Sequence, residues 1–210
     1  MSDERHGPPP AAAERSLRLF VAVELSDAWR QGAEEVARRL QAAHGNGYRW
    51  VRPELYHVTV VFLGEQPADR LGSITDAMRA AVAEASSFEL RLGDLSGFGA
   101  DVARALILAV ADPSGGLHAL RARLDRELVE RRIPFDRKPL SPHVTLGRAR
   151  VQRRGERRDR ARPGQVAPTS RVPRPDVGPL RVDRIALVRS DLLPGGPRYE
   201  AVATVPLGGR

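Results

Sequence analysis

Leu55-Tyr56-His57-Val58-Thr59-Val60-Val61-Phe62-Leu63 is the strongest strand signal in the chain, and its core returns in the second half as His143-Val144-Thr145-Leu146. Aromatic and β-branched residues of this kind suit a pleated, half-buried surface. Side chains alternate across a strand, so the imidazole and hydroxyl of each motif share one face, while Val58 and Val60, or Val144 and Leu146, share the other. Five histidines (6, 44, 57, 118, 143) and five threonines occur in 210 residues. Two His-Val-Thr triplets in so sparse a set are not an accident of composition.

Working outward, Leu17–Leu25 is an apolar run of strand length, and Ser26 caps an amphipathic helix expected over about 27 to 43. Gly45 and Gly47 stop that helix, and 48 to 51 reads as a short strand. Pro67 opens a second helix over 68 to 86, with Leu71, Ile74, Met78, Ala81 and Val82 at helical spacing. Strands are expected at 88 to 97 and 105 to 111, a helix at 114 to 131, the second motif strand at 143 to 148, and closing strands at 180 to 190 and 198 to 206. Strands interspersed with single helices indicate an α+β or α/β class.

There are 34 Lys+Arg against 26 Asp+Glu, a formal charge of +8, and Lys138 is the single lysine. Residues 148 to 174 hold ten arginines against Glu156 and Asp159, which is the whole of that excess. This stretch contains three prolines and no periodicity, so it reads as a solvated, mobile loop. It is either an RNA-phosphate tether or an insertion that keeps the loop soluble. Cysteine is absent, which excludes disulfides, thiolate nucleophiles and Cys-ligated metals. No run approaches the roughly 20 apolar residues of a membrane span. The first sixteen residues lack the apolar stretch of a signal peptide, so the expectation is a cytoplasmic protein with a disordered leader over 1 to 16.

If the two motif strands lie side by side, two histidines and two threonines converge on one surface. That set suits a phosphate: hydroxyls bond the non-bridging oxygens, and imidazoles with ordinary pKa near 6.5 serve as base and acid. Three rivals compete with this reading. A histidine in an apolar strand is commonly a satisfied structural residue. Two histidines could also be half of a zinc site, but no His-x-His, HExxH or close carboxylate accompanies either motif. Serine-nucleophile, Walker and dinucleotide motifs are absent.

The stretches LRLFVAVELSD, YRWVRPELYHVTVVFLGE (48 to 65), FDRKPLSPHVTLGRAR (135 to 150) and VDRIALVRSDLLPGGPRYEAVATVPL closely resemble RNA 2′,3′-cyclic phosphodiesterases. These are also known as 2′-5′ RNA ligases, of the two-histidine phosphoesterase superfamily, and the resemblance runs from about residue 17 to 207. It implies an α+β fold of two related lobes, each an antiparallel sheet with helices on its outer side, around a central cleft bearing two HxTx motifs. One bilobal domain would then span 17 to 210, with the basic loop inserted at about 150 to 178. The resemblance further implies metal-free, cofactor-free hydrolysis of an RNA 2′,3′-cyclic phosphate end to a 2′-phosphate, by a protein expected to be monomeric and independent of membranes. By position, His57 is similar to the proton donor and His143 to the proton acceptor, with Thr59 and Thr145 as phosphate-binding hydroxyls. Nothing in the residues themselves distinguishes the two histidines.

Arg148 occupies the place of a family arginine and is expected to contact phosphate or ribose. It reaches the face of His143 and Thr145 only if a bulge intervenes; otherwise it is a rim residue opening the basic loop. The segment GDLSGFGADVARA at 93 to 105 departs from the proline-containing loop usual in the family. Candidates for stacking a base are Phe20, Tyr48, Trp50, Tyr56, Phe62, Phe98 and Phe135, with Tyr56 and Trp50 foremost and the rest expected mostly in the core. The alternatives to hydrolysis are 2′-5′ ligase or 2′-5′ phosphodiesterase activity, or RNA binding without turnover.

Overall fold

The computed structural model describes residues 16–44, 47–98, 104–150 and 173–208. The expected leader, up to residue 15, and the arginine-rich stretch 151–172 lie outside the described residues.

Among the described residues, nine strands and three α-helices make an antiparallel α+β fold. The order is β1 (Ser16–Glu24), α1 (Asp27–His44), β2 (Tyr48–Trp50), β3 (His57–Pro67), α2 (Leu71–Val82), β4 (Phe88–Phe98), β5 (Ala105–Ala111), α3 (Gly116–Glu130), β6 (His143–Ala149), β7 (Leu180–Val182), β8 (Arg184–Leu193) and β9 (Gly196–Pro206). Two differences from the sequence expectation have local causes. The second helix starts three residues late because Ala68–Arg70 forms a 3₁₀ turn after Pro67. The strand expected over 180 to 190 breaks at Asp183 because its two parts serve different neighbours, β7 pairing with β4 and β8 with β1 and β9.

The strands run β7-β4-β5-β6-β3-β1-β8-β9 across one sheet, with β2 paired to β6 beside β3. β1 is buried on both faces. Leu19, Val21 and Val23 join the main core with Trp29, Ala33, Val36 and Leu40 of α1, Ile74 and Met78 of α2, and Leu117, Leu120 and Leu124 of α3. Phe20 and Ala22 face the other way, into a small cluster with Ala186 and Val188 against Tyr199. The helices therefore cover one face of the sheet, and the opposite face is left for the site. Ser26 caps α1 as expected, its hydroxyl accepting from the Trp29 amide at 3.3 Å. No helix among the described residues is long and apolar enough to cross a membrane.

Candidate active site

The motif strands β3 and β6 meet at a single ladder position, Val58 opposite Val144. Antiparallel register then sets His57 across from Thr145 and Thr59 across from His143, all four on the face away from the helices. Val58, Val60, Val144 and Leu146 are buried against the core on the other side.

Each motif is followed by the same irregularity. Ala22 pairs with Thr59 and Val21 with Val61, leaving Val60 as an extra residue in β3. Ile107 pairs with Thr145 and Leu106 with Gly147, leaving Leu146 extra in β6. The bulge reverses the alternation, so that Val61 and Gly147 turn inward and Phe62 and Arg148 emerge on the site face, both exposed. The condition that sequence alternation set for Arg148 is thus met. A cleft of about 980 Å³ gathers His57, Thr59, His143, Thr145 and Arg148, with Phe20, Trp50, Phe62, Phe135 and Tyr199 among its walls.

Backbone carbonyls fix both imidazoles. His57 Nδ1–H donates to the Leu55 carbonyl at 2.8 Å, and His143 Nδ1–H donates to that of Ser141 at 2.6 Å. A carbonyl can only accept, so Nδ1 carries the hydrogen in both rings and Nε2 is left for chemistry. His57 Nε2 lies 3.0 Å from Thr59 Oγ1. Burial pushes the His57 pKa below its ordinary value; the Leu55 bond opposes this, and the charges of His143 and Arg148 add to it. His143 is lowered for the same reasons, burial first, opposed by Ser141 and reinforced by Arg148. Phe20 packs on the His57 ring at 4.8 Å and Tyr199 meets it edge-on at 5.4 Å, while Phe98 stands edge-on to His143 at 5.1 Å.

The aromatic expectations divide. Trp50 lines the cleft, but Tyr56 is 4% exposed and belongs to the core, where burial pushes its hydroxyl pKa up. Phe62 and Phe98 are exposed, because the bulge turns the first outward and the second ends its strand. Tyr199 was absent from those candidates; it enters the cleft from β9, whose partner β8 lies beside β1. Arg121 was also missed. It sits in α3, a helix in which the sequence singled out no functional side chain, and it is only 8% exposed. Its guanidinium donates to the carbonyls of Val60 at 2.8 Å and Asp136 at 2.9 Å, tying the first bulge to the loop that leads into His143. Charge gathers in the cleft as well: among the described residues, its walls carry Arg18, Arg49, Arg52 and Arg148 against the one carboxylate of Asp136.

One cleft holding two His-x-Thr strands of a single antiparallel sheet, in an α+β frame, defines a two-histidine class of protein. The family model described as the 2′-5′ RNA ligase superfamily matches residues 25–192, and the chain belongs to that superfamily. A Thermus thermophilus protein named RNA 2′,3′-cyclic phosphodiesterase is 31% identical over 200 residues, covering 92% of this chain and 91% of its own. A Geobacillus stearothermophilus protein of the same name is 28% identical over 191 residues; the match takes in 90% of this chain but only 57% of that protein's length. The crystal structure of the Thermus thermophilus protein TT0787 superposes with a TM-score of 0.73 at 26% identity, over 92% of this chain and 99% of that one.

Proposed function

We propose that the protein hydrolyses RNA 2′,3′-cyclic phosphate ends to 2′-phosphates, without a metal, using His57 and His143 as acid and base. The observation that carries this reading is the Val58–Val144 register, which faces two imidazoles and two hydroxyls into one cleft. The relatives' name supports the substrate.

In this reading Thr59, Thr145 and Arg148 hold the non-bridging oxygens. His143 Nε2 takes a proton from water as its oxygen bonds to phosphorus. The bond from phosphorus to the 3′ oxygen breaks, and His57 Nε2–H protonates that oxygen, leaving a 2′-phosphate and a free 3′ hydroxyl. His57 begins as the imidazolium and His143 as the neutral ring, so each turnover ends with their protonation states exchanged, and solvent restores them. The arginines of the cleft favour the anionic substrate and offset its loss of water. Among the described residues no three His, Asp or Glu side chains gather as a metal site would require.

A defined oligonucleotide with a cyclic phosphate end tests the reading. Mass spectrometry should show the gain of one water, and chromatography should match the product to an authentic 2′-phosphate and not to its 3′-phosphate isomer, with the rate unaffected by EDTA. A ligated or 3′-phosphate product, or activity lost to chelation and restored by zinc, would overturn it.

A further inference from the structure

Arg49 stands directly opposite Arg148 in the antiparallel pairing of β2 with β6. Both side chains are exposed and both line the cleft. Two guanidiniums facing each other across a ladder repel, at a cost that a sheet ordinarily avoids. Among the described residues, neither has a carboxylate within ion-pair distance, whereas Arg52 has Glu54 at 3.4 Å and Arg18 has Glu65 at 4.0 Å. The position is rigidly kept. Val51 N–H donates to the Leu146 carbonyl at 2.8 Å, and Trp50 lies over Gly147, where even an added Cβ would come within 3.2 Å of the indole. A repulsive pair held in register inside a cleft is arranged for an anion between or upon its members.

Arg148 shares β6 and its site face with His143 and Thr145 and lines the same cleft, which assigns it to the reacting phosphate of the reading above. Arg49 lies one inter-strand step of about 5 Å from Arg148, on the flank of β6 opposite β5, where β2 takes over from β3 along the strand. We propose that Arg49, with Arg148, forms a second phosphate subsite that takes the phosphodiester on the 5′ side of the terminal nucleotide. The protein then prefers an oligonucleotide end to a nucleoside 2′,3′-cyclic monophosphate. This rests on the cyclic-phosphate reading above and adds the length and polarity of the strand to it.

The test compares three substrates in the wild type and in Arg49→Gln: a nucleoside 2′,3′-cyclic phosphate, a dinucleotide with the same end, and that dinucleotide with a neutral methylphosphonate link. The wild type should favour the charged dinucleotide over both others. Arg49→Gln should reduce the ratio of dinucleotide to mononucleotide kcat/KM about tenfold, the worth of one charge-assisted hydrogen bond, and should equalise the charged and neutral links. An unchanged ratio, or equal loss on all three substrates, overturns the subsite. A second measurement needs no turnover: equilibrium binding of a dinucleotide bearing a 2′-phosphate. Its affinity should fall with salt, with a slope about one unit shallower in Arg49→Gln. If the wild type consumes none of the substrates, the proposed reaction fails while this binding series still decides Arg49; an unchanged slope and affinity there overturn the subsite.

Discussion

His57 and His143 open the same triplet, donate from the same ring nitrogen to a carbonyl two residues back, and precede the same bulge, yet their surroundings differ. His57 is walled by Phe20 and Tyr199 and has a hydroxyl at its Nε2. Among the described residues, His143 has a single aromatic ring contact, with Phe98 at the end of β4. Five residues on from each histidine, the bulge delivers Phe62 on one side and Arg148 on the other. A repeated backbone thus carries unlike side chains, with a cation on one flank of the proposed phosphate position and an apolar ring on the other. In the proposed reaction, symmetry supplies the pair of proton carriers, and the broken symmetry is what would divide their labour.

The largest effects should come from removing the carriers themselves. His57→Ala and His143→Ala are each expected to lower kcat by a factor on the order of 10³ or more, and the double variant should be little worse, because the two act as a unit. The comparison is sharpened by a substrate whose 3′ oxygen is replaced by sulfur, a leaving group that needs no proton. That substrate should restore much of the rate to His57→Ala and none to His143→Ala. Rescue of His143→Ala alone would exchange the two roles while keeping the reaction.

Next comes the cation on one flank. Arg148→Gln should cost about a hundredfold in kcat/KM, as for loss of one donor to a developing charge. It should also move the pH profile. The positive charge of Arg148 disfavours both imidazolium ions and so lowers both pKa values. Its removal lets both rise, and both limbs of the kcat/KM bell should shift to higher pH. In the unaltered protein the bell should be centred below the ordinary histidine value of about 6.5, since burial lowers both groups. A fall in rate with an unmoved profile would take Arg148 away from the histidines and leave it as a rim residue.

Much of this was legible in the residues. The duplicated triplet, the strand alternation and the Ser26 cap are local signals, so the shared face of His57 and Thr59 was expected from the residues, whereas periodicity alone left α+β and α/β open and the family resemblance chose α+β. The bulges were not, because an extra residue shows only when the partner strands β1 and β5 are in place. For the same reason Phe62 was expected in the core and Arg148 was left conditional. Arg121 shows the limit more sharply: its helix carries arginines on several faces, and only the packing of α3 behind β3 makes one of them a buried tie. The charge count left the cleft's own arginines unseen, because they arrive from β1, β2, β6 and the turn after β2, far apart in sequence.

The smallest expected effect tests the residue just before the asymmetric flank. Val61 and Gly147 occupy equivalent inward positions after the two bulges, one filled by a buried side chain and the other by the indole of Trp50. Gly147→Ala would set a methyl 3.2 Å from Trp50 Cε3, tighter than ordinary contact, so either the ring or the strand must give. Overpacking of this degree should cost about 1 kcal/mol, read as a Tm lowered by about 2–4 °C. If the ring is what resists, the cost should vanish when Gly147→Ala is made in a Trp50→Leu background, so that a double-mutant cycle in thermal unfolding returns a coupling close to the single-variant loss. A strand displaced instead would carry Arg148 with it, and the loss would then persist in the cycle and appear in kcat/KM. The absence of a side chain at 147 would in that case serve the placing of the guanidinium, and the two halves would differ in backbone as well as in what they display.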